Sequence, residues 1–270
     1  MENLATSSIE KEEQLKNLFK ELRETTLFRC YLELKDDSKF LGMTLQEQLL
    51  ELLKLLKSKR EVNRYCMLRR KSLLPDEVDV KPLDKALNNN KLKKDQIDFI
   101  ITHALKNTHK IVFVTGPTGA GKTTIVQNTL DLALRSQLPV AYFDYASWMF
   151  EYSSYYFKEH NLYESKIEAL MKNRIIAFDD ALLCEAIPRE GEVMKDLISR
   201  AELKHVVLIF SSQISVSDWY KRFSNNPCIA DAIMDRITQN IMQLELKGQS
   251  LRRPKTTSSS QTNSQEIENK

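Results

Sequence analysis

Long apolar runs, glycine, proline and clustered cysteine are all scarce in this chain of 270 residues, and each scarcity excludes a class of protein. No apolar stretch approaches the roughly 20 residues a membrane-spanning helix needs. The polar opening MENLATSSIEKEEQ has no signal-peptide apolar core. The expectation is a cytoplasmic protein with no membrane partner. Cys30, Cys66, Cys184 and Cys228 form neither a C-x-x-C pair nor a cluster with histidine, so no zinc-site or disulfide pattern is present. His103, His109, His160 and His205 are isolated and suggest no nucleophilic centre. Charge of one sign is not in excess either: 40 Lys and Arg face 37 Asp and Glu, a formal +3, too little to argue for nucleic acid by itself. With only 6 glycines and 7 prolines, each marks a place where the backbone is constrained.

What is present is a 42% apolar chain with two kinds of patterning. Up to residue 75 the pattern is helical. Ile9, Leu15, Leu18, Phe19 and Leu22 share one side of a helix over 9–24, and Thr44-x-x-Glu47 has capping-box spacing. A long helical pattern then runs to about Leu74, before Pro75. Residues 76–95, polar and Asn-containing, read as a linker, and Lys94–Leu105 as a further helix. From Ile111 short apolar runs alternate with helical segments. Ile111–Val114, Val140–Phe143, Ile175–Phe178 and Val206–Phe210 read as strands, and Ile241–Leu246 as a final one. Strands without polar alternation, separated by helices, predict an α/β fold with a parallel sheet covered on both faces. The tail from 254 to 270 is nearly devoid of apolar residues and reads as disordered.

Between the first strand and its helix stands Gly116-Pro117-Thr118-Gly119-Ala120-Gly121-Lys122-Thr123, a full match to G-x-x-x-x-G-K-[ST]. A tight glycine-bearing turn aims successive N–H groups at phosphate oxygens, and the positive end of the following helix favours the anion. In that arrangement Lys122 supplies charge to the β and γ phosphates, Thr123 a hydroxyl to Mg2+, and Thr124 a bond to a neighbouring phosphate. Such a site needs a metal-side group on an adjacent strand. Ile175-Ile-Ala-Phe178 followed by Asp179-Asp180 provides it, Asp179 holding Mg2+ and Asp180 polarising the attacking water. The fourth strand ends in Ser211-Ser212-Gln213. Ser212 is the candidate for a contact to the γ-phosphate or the water, with strand-end capping the alternative reading. The ligands implied are ATP and Mg2+.

Three segments are more specific than the loop. Asp218-Trp219-Tyr220, then Ala230-Asp231-Ala-Ile-Met-Asp235-Arg236-Ile237, then Leu244-Glu-Leu-Lys247-Gly248-Gln-Ser250-Leu-Arg252 together resemble the IstB-like transposition helper ATPases, relatives of the DnaC helicase loader in the AAA+ class. The resemblance covers about residues 41–253. It implies a three-layer P-loop AAA+ domain over 96–253, preceded by a small helical N-terminal domain over 1–75. It also implies ATP-controlled self-assembly on duplex DNA and partnership with a transposase. On the same resemblance Arg236 would reach the γ-phosphate of a neighbouring subunit, and Arg252 is a weaker candidate for a second phosphate sensor. Two departures stand out: Ala181-Leu182 follows the paired aspartates where relatives carry Trp-Gly, and Lys85-Ala86 stands where relatives have an aromatic.

Residues 44–72 hold eight Lys and Arg against three Glu, a local excess greater than that of the whole chain. Lys57, Arg60, Arg64, Arg69, Arg70 and Lys71 crowd the second half of the helix, a stripe able to follow a phosphate backbone without reading bases. A solvated helix face is the plainer account, and the resemblance favours DNA. A helicase loader remains a second reading of the whole chain. A small-molecule P-loop kinase is a third, which the paired aspartates and the DAIMDRI segment fit poorly.

Overall fold

The computed structural model describes residues 2–75, 83–223 and 226–251, with side chains described from residue 10 onward. Four helices open the chain: α1 (Glu2–Glu21), α2 (Thr25–Leu34), α3 (Ser38–Leu41) and α4 (Leu45–Lys71). The predicted capping box starts α4. Glu47 N donates to Thr44 Oγ1 at 3.4 Å and Thr44 N donates to Glu47 Oε2 at 2.8 Å, satisfying two N-terminal donors. The helix stops at Lys71, short of Leu74, because Leu73 takes a left-handed φ of 60°. Arg69 then turns back, its Nη1 donating to Leu74 O at 3.0 Å and its Nη2 to Pro75 O at 2.6 Å.

The helix expected over 9–24 ends at Glu21, and its leucine side does not form a core. Leu15, Leu18 and Leu22 are exposed, and only Phe19 packs inward, 5.7 Å from the Phe28 ring. Ile9 lies outside the described side chains.

The sheet and the helices that cover it lie within residues 83–251. Helices α5 (Leu83–Asn89) and α6 (Lys94–Leu105) precede β1 (Lys110–Thr115) and α7 (Lys122–Arg135). Then come β2 (Val140–Asp144), α8 (Tyr145–Lys158), α9 (His160–Leu170), β3 (Ile175–Asp179) and α10 (Glu190–Leu203). The chain continues through β4 (Val207–Ser212), α11 (Val216–Phe223), α12 (Pro227–Asn240) and β5 (Ile241–Glu245). All pairings are parallel, in the order β2-β3-β4-β1-β5. This corrects one expectation: the strand ending in Asp179 is not next to β1, because β4 lies between them.

Alternate residues of each strand face opposite layers. On one face Phe143, Phe178, Phe210 and Phe113 form a ladder across four strands, with successive rings 5.3–5.8 Å apart. Trp219, fully buried, closes edge-on against Phe113 at 4.7 Å, so the tryptophan of the Asp-Trp-Tyr segment is a core residue. On the other face Val112, Val114, Ala177 and Ile209 pack with α5, α6 and α7.

A buried ion network ties three helices together behind this core. Glu190, 4% exposed, accepts from Tyr145 Oη at 2.8 Å, from Arg222 Nε at 2.9 Å and from Arg222 Nη2 at 3.3 Å. Burial, then the Glu190 charge, raises the Tyr145 hydroxyl pKa well above its ordinary value, so it remains a donor. Removing one partner strands a buried charge. Arg222→Ala is therefore expected to lose about 3 kcal/mol in denaturant unfolding, with Arg222→Lys recovering part of it. A loss below about 1 kcal/mol would mean the pair behaves as a surface contact.

Candidate active site

The loop from Gly116 to Gly121 takes a shape that needs its glycines. Gly119 and Gly121 have φ of 81° and 104°. A Cβ on Gly116 would lie 2.5 Å from Leu246 O, and one on Gly119 would lie 2.2 Å from Ser250 Oγ. Lys122, only 6% exposed, folds over the loop and donates from Nζ to Gly116 O at 2.9 Å and Pro117 O at 3.1 Å. Thr118, Gly119, Gly121, Lys122, Thr123, Thr124, Asp180, Gln213 and Leu251 line one cleft. A glycine turn, a helix N-terminus, a lysine and hydroxyls in one place suit a polyphosphate.

The cradle is held from both sides. Asn90 Nδ2 donates to Ala120 O at 2.8 Å, and its Oδ1 accepts from Gly248 N at 2.8 Å. Leu251 N donates to Gly119 O at 2.8 Å, and Asn89 Nδ2 donates to Gln249 O at 2.9 Å. The polar stretch read as a linker thus contains α5, whose Ala86 and Leu87 are buried against α7 and whose neighbouring asparagines join the loop to the C-terminal segment.

The two aspartates divide. Asp180 is exposed and faces the cleft, in a left-handed turn (φ 52°) secured by Ala181 N donating to Ser211 O at 2.7 Å. Asp179 is buried beneath it at 7% exposure. Its Oδ2 accepts from Tyr142 Oη at 2.7 Å, and its Oδ1 accepts from Ser211 Oγ and, at 3.2 Å, from Asp180 N. Burial and the adjacent Asp179 charge push the Tyr142 pKa far up, so this hydroxyl stays protonated. Among the described residues no group of three or more His, Cys, Asp or Glu could hold a metal on protein side chains alone. Thr123 and the aspartates are hard oxygen donors, a set that fits Mg2+ shared with phosphates and water.

Ser212 is not in the cleft. Its Oγ donates to Ala181 O at 2.7 Å and accepts from Ile214 N at 3.1 Å. Strand alternation turns it away and turns its neighbours in: Ser211 reaches Asp179, and Gln213 lines the cleft and accepts from Thr118 Oγ1 at 2.9 Å. The strand-end capping reading applies to Ser212, and it is Gln213 that faces the cleft. Arg236, on α12, does not line the cleft of its own subunit. Its Nη1 donates to Ala232 O at 2.9 Å, its Nε stands 3.8 Å from Glu202 Oε2, and that buried Nε has no hydrogen-bond partner. Arg252 lies outside the described residues.

On α4, Lys57, Arg60, Arg64, Arg70 and Lys71 are exposed. Arg60 pairs with Glu24 at 2.6 Å, and Arg64 Nη2 donates to Gln137 O at 3.4 Å. Arg69 is engaged in closing the helix end, which removes it from the simple picture of a phosphate contact. No helix among the described residues is long and apolar enough to cross a membrane.

A five-stranded parallel sheet with the P-loop after one strand, an interposed strand, and paired carboxylates after the next defines a P-loop ATPase of the AAA+ class. Residues 17–260 match the sequence model of the family described as IstB-like ATP binding protein, and the chain belongs to that family. Among relatives, a protein of Sinorhizobium fredii (strain NBRC 101917 / NGR234) described as an insertion sequence ATP-binding protein, y4pL, is 28% identical over 195 residues, covering 70% of this chain and 73% of its own. Among solved structures, DnaI shares 14% identity with a TM-score of 0.49, covering 65% of this chain and 90% of its own. The DnaC helicase loader shares 16% with a TM-score of 0.42, covering 56% and 86%.

Proposed function

We propose that this ATPase assembles with ATP and Mg2+ into a homo-oligomer on duplex DNA and there engages a transposase. The observation that carries the reading is the place of Arg236, a cation that is partly exposed and outside its own cleft. A neighbouring subunit's triphosphate is a partner of matching charge and geometry. In this reading the loop 116–121, Lys122, Thr123 and Thr124 hold the phosphates. Thr123 and Asp179 serve the metal, Asp180 and Gln213 orient the attacking water, and the exposed end of α4 meets DNA. Membership in the IstB-like family and the insertion-sequence description of the y4pL relative support transposition as the setting.

The test is duplex-DNA binding with a slowly hydrolysed ATP analogue. Arg70→Glu with Lys71→Glu, which leaves the Arg69 closure intact, is expected to weaken binding about ten-fold and to flatten the log–log salt slope by about two. Unchanged affinity and slope would remove α4 from the DNA surface. A firm preference for single strands and for a hexameric helicase would instead favour the loader reading.

A further inference from the structure

We propose that Tyr142 is a positioning residue for the metal-side carboxylate: it fixes Asp179 Oδ2, the one oxygen of that carboxylate with acceptor capacity left for the water shell of a nucleotide-bound cation. This deepens the nucleotide-site reading and rests on it.

A carboxylate oxygen accepts about two hydrogen bonds. Oδ1 already has two donors, Ser211 Oγ and Asp180 N. Oδ2 has one, Tyr142 Oη at 2.7 Å, so any water bridging to a metal is directed there. The Tyr142 hydroxyl cannot turn elsewhere without loss, because Gln127 Nε2 donates to it at 3.2 Å and leaves its proton for Asp179. Gln127 lies on α7, the helix that follows the phosphate loop, and Tyr142 lies on β2, two strands from β4. One hydroxyl thus sets the orientation of a β3 carboxylate relative to the helix that carries Thr123. Partners that orient a metal-site carboxylate typically change metal affinity by 10- to 100-fold when removed, roughly speaking.

The same residue is tied to the N-terminal helices. Tyr142 N donates to Ser72 O at 2.9 Å, immediately beyond the basic end of α4. A shift of that helix end would therefore be felt at the strand residue that holds Asp179.

The experiment is a titration of a fluorescent ATP analogue into the full chain, with Mg2+ and with EDTA, for the parent and for Tyr142→Phe, which keeps the ring and removes only the hydroxyl. The expected result is an Mg2+ requirement for half-saturation raised about ten-fold, with affinity in EDTA unchanged. Gln127→Leu, which frees the hydroxyl to rotate, should shift the Mg2+ requirement the same way by a smaller factor. An unchanged Mg2+ requirement in folded Tyr142→Phe overturns the proposal. An equal loss with and without Mg2+ overturns it too, since that is the signature of a merely structural role. If the parent itself binds no better than Lys122→Ala, the nucleotide site is wrong and the proposal falls with it.

Discussion

Arg236→Ala should leave ATP binding by the single subunit intact while lowering turnover of the assembled protein by about 10³-fold or more. The side chain does not line its own cleft, so truncation removes nothing from the walls of that cleft. In an assembly, a guanidinium brought to the γ-phosphate neutralises charge that develops in the transition state, and no other side chain offers a fork that stays charged. Arg236→Lys should therefore not rescue. The decisive measurement is subunit mixing. Arg236→Ala keeps its own phosphate loop, and Lys122→Ala keeps its arginine, so each alone is nearly inactive. A mixture should regain activity at interfaces where an intact loop meets an intact arginine. If the mixture stays as inactive as its parts at concentrations where both assemble, Arg236 does not act across an interface.

Lys122→Ala should abolish measurable turnover and weaken ATP binding by about 10²-fold or more, by analogy with removal of a preorganised charge-stabilising donor. The structure gives two reasons. The ammonium is the charge within the cradle, and in this conformation it also braces the loop by donating to Gly116 O and Pro117 O. A bound triphosphate would compete for those donors. Calorimetric titration of ATP should show the loss, and an unchanged melting temperature should exclude unfolding as its cause. Retained affinity would mean that the triphosphate does not sit in this cradle.

The sheet and the cradle were legible in the sequence because both rest on local signals. Apolar strand runs, a full loop motif and a capping box each specify their own geometry within a few residues. Strand order was not legible: nothing in Ile175–Asp180 reveals that β4 separates it from β1. The same limit explains Ser212. Ser211 and Ser212 end β4 and Gln213 follows it, and only the finished strand decides that Ser211 and Gln213 face the site while Ser212 caps the turn after Asp180. Tyr142 carried no signal at all, since a tyrosine in an apolar run reads as core until Asp179 is placed beside it. The polar Asn88-Asn89-Asn90 stretch reads as linker by composition, yet its role comes from long-range partners at Ala120, Gly248 and Gln249. In α1 the periodicity announced a helix correctly but could not say whether a partner would cover its leucines.

The backbone bond from Tyr142 N to Ser72 O also bears on the open margin of the sheet. β2 is an outermost strand, and such a strand with unsatisfied amides templates the addition of foreign strands. The turn after α4 occupies one of those amides and seats Leu74, 6% exposed, nearby. Separating residues 83–251 from the N-terminal helices is therefore expected to bare that edge amide and to raise aggregation, which light scattering would show.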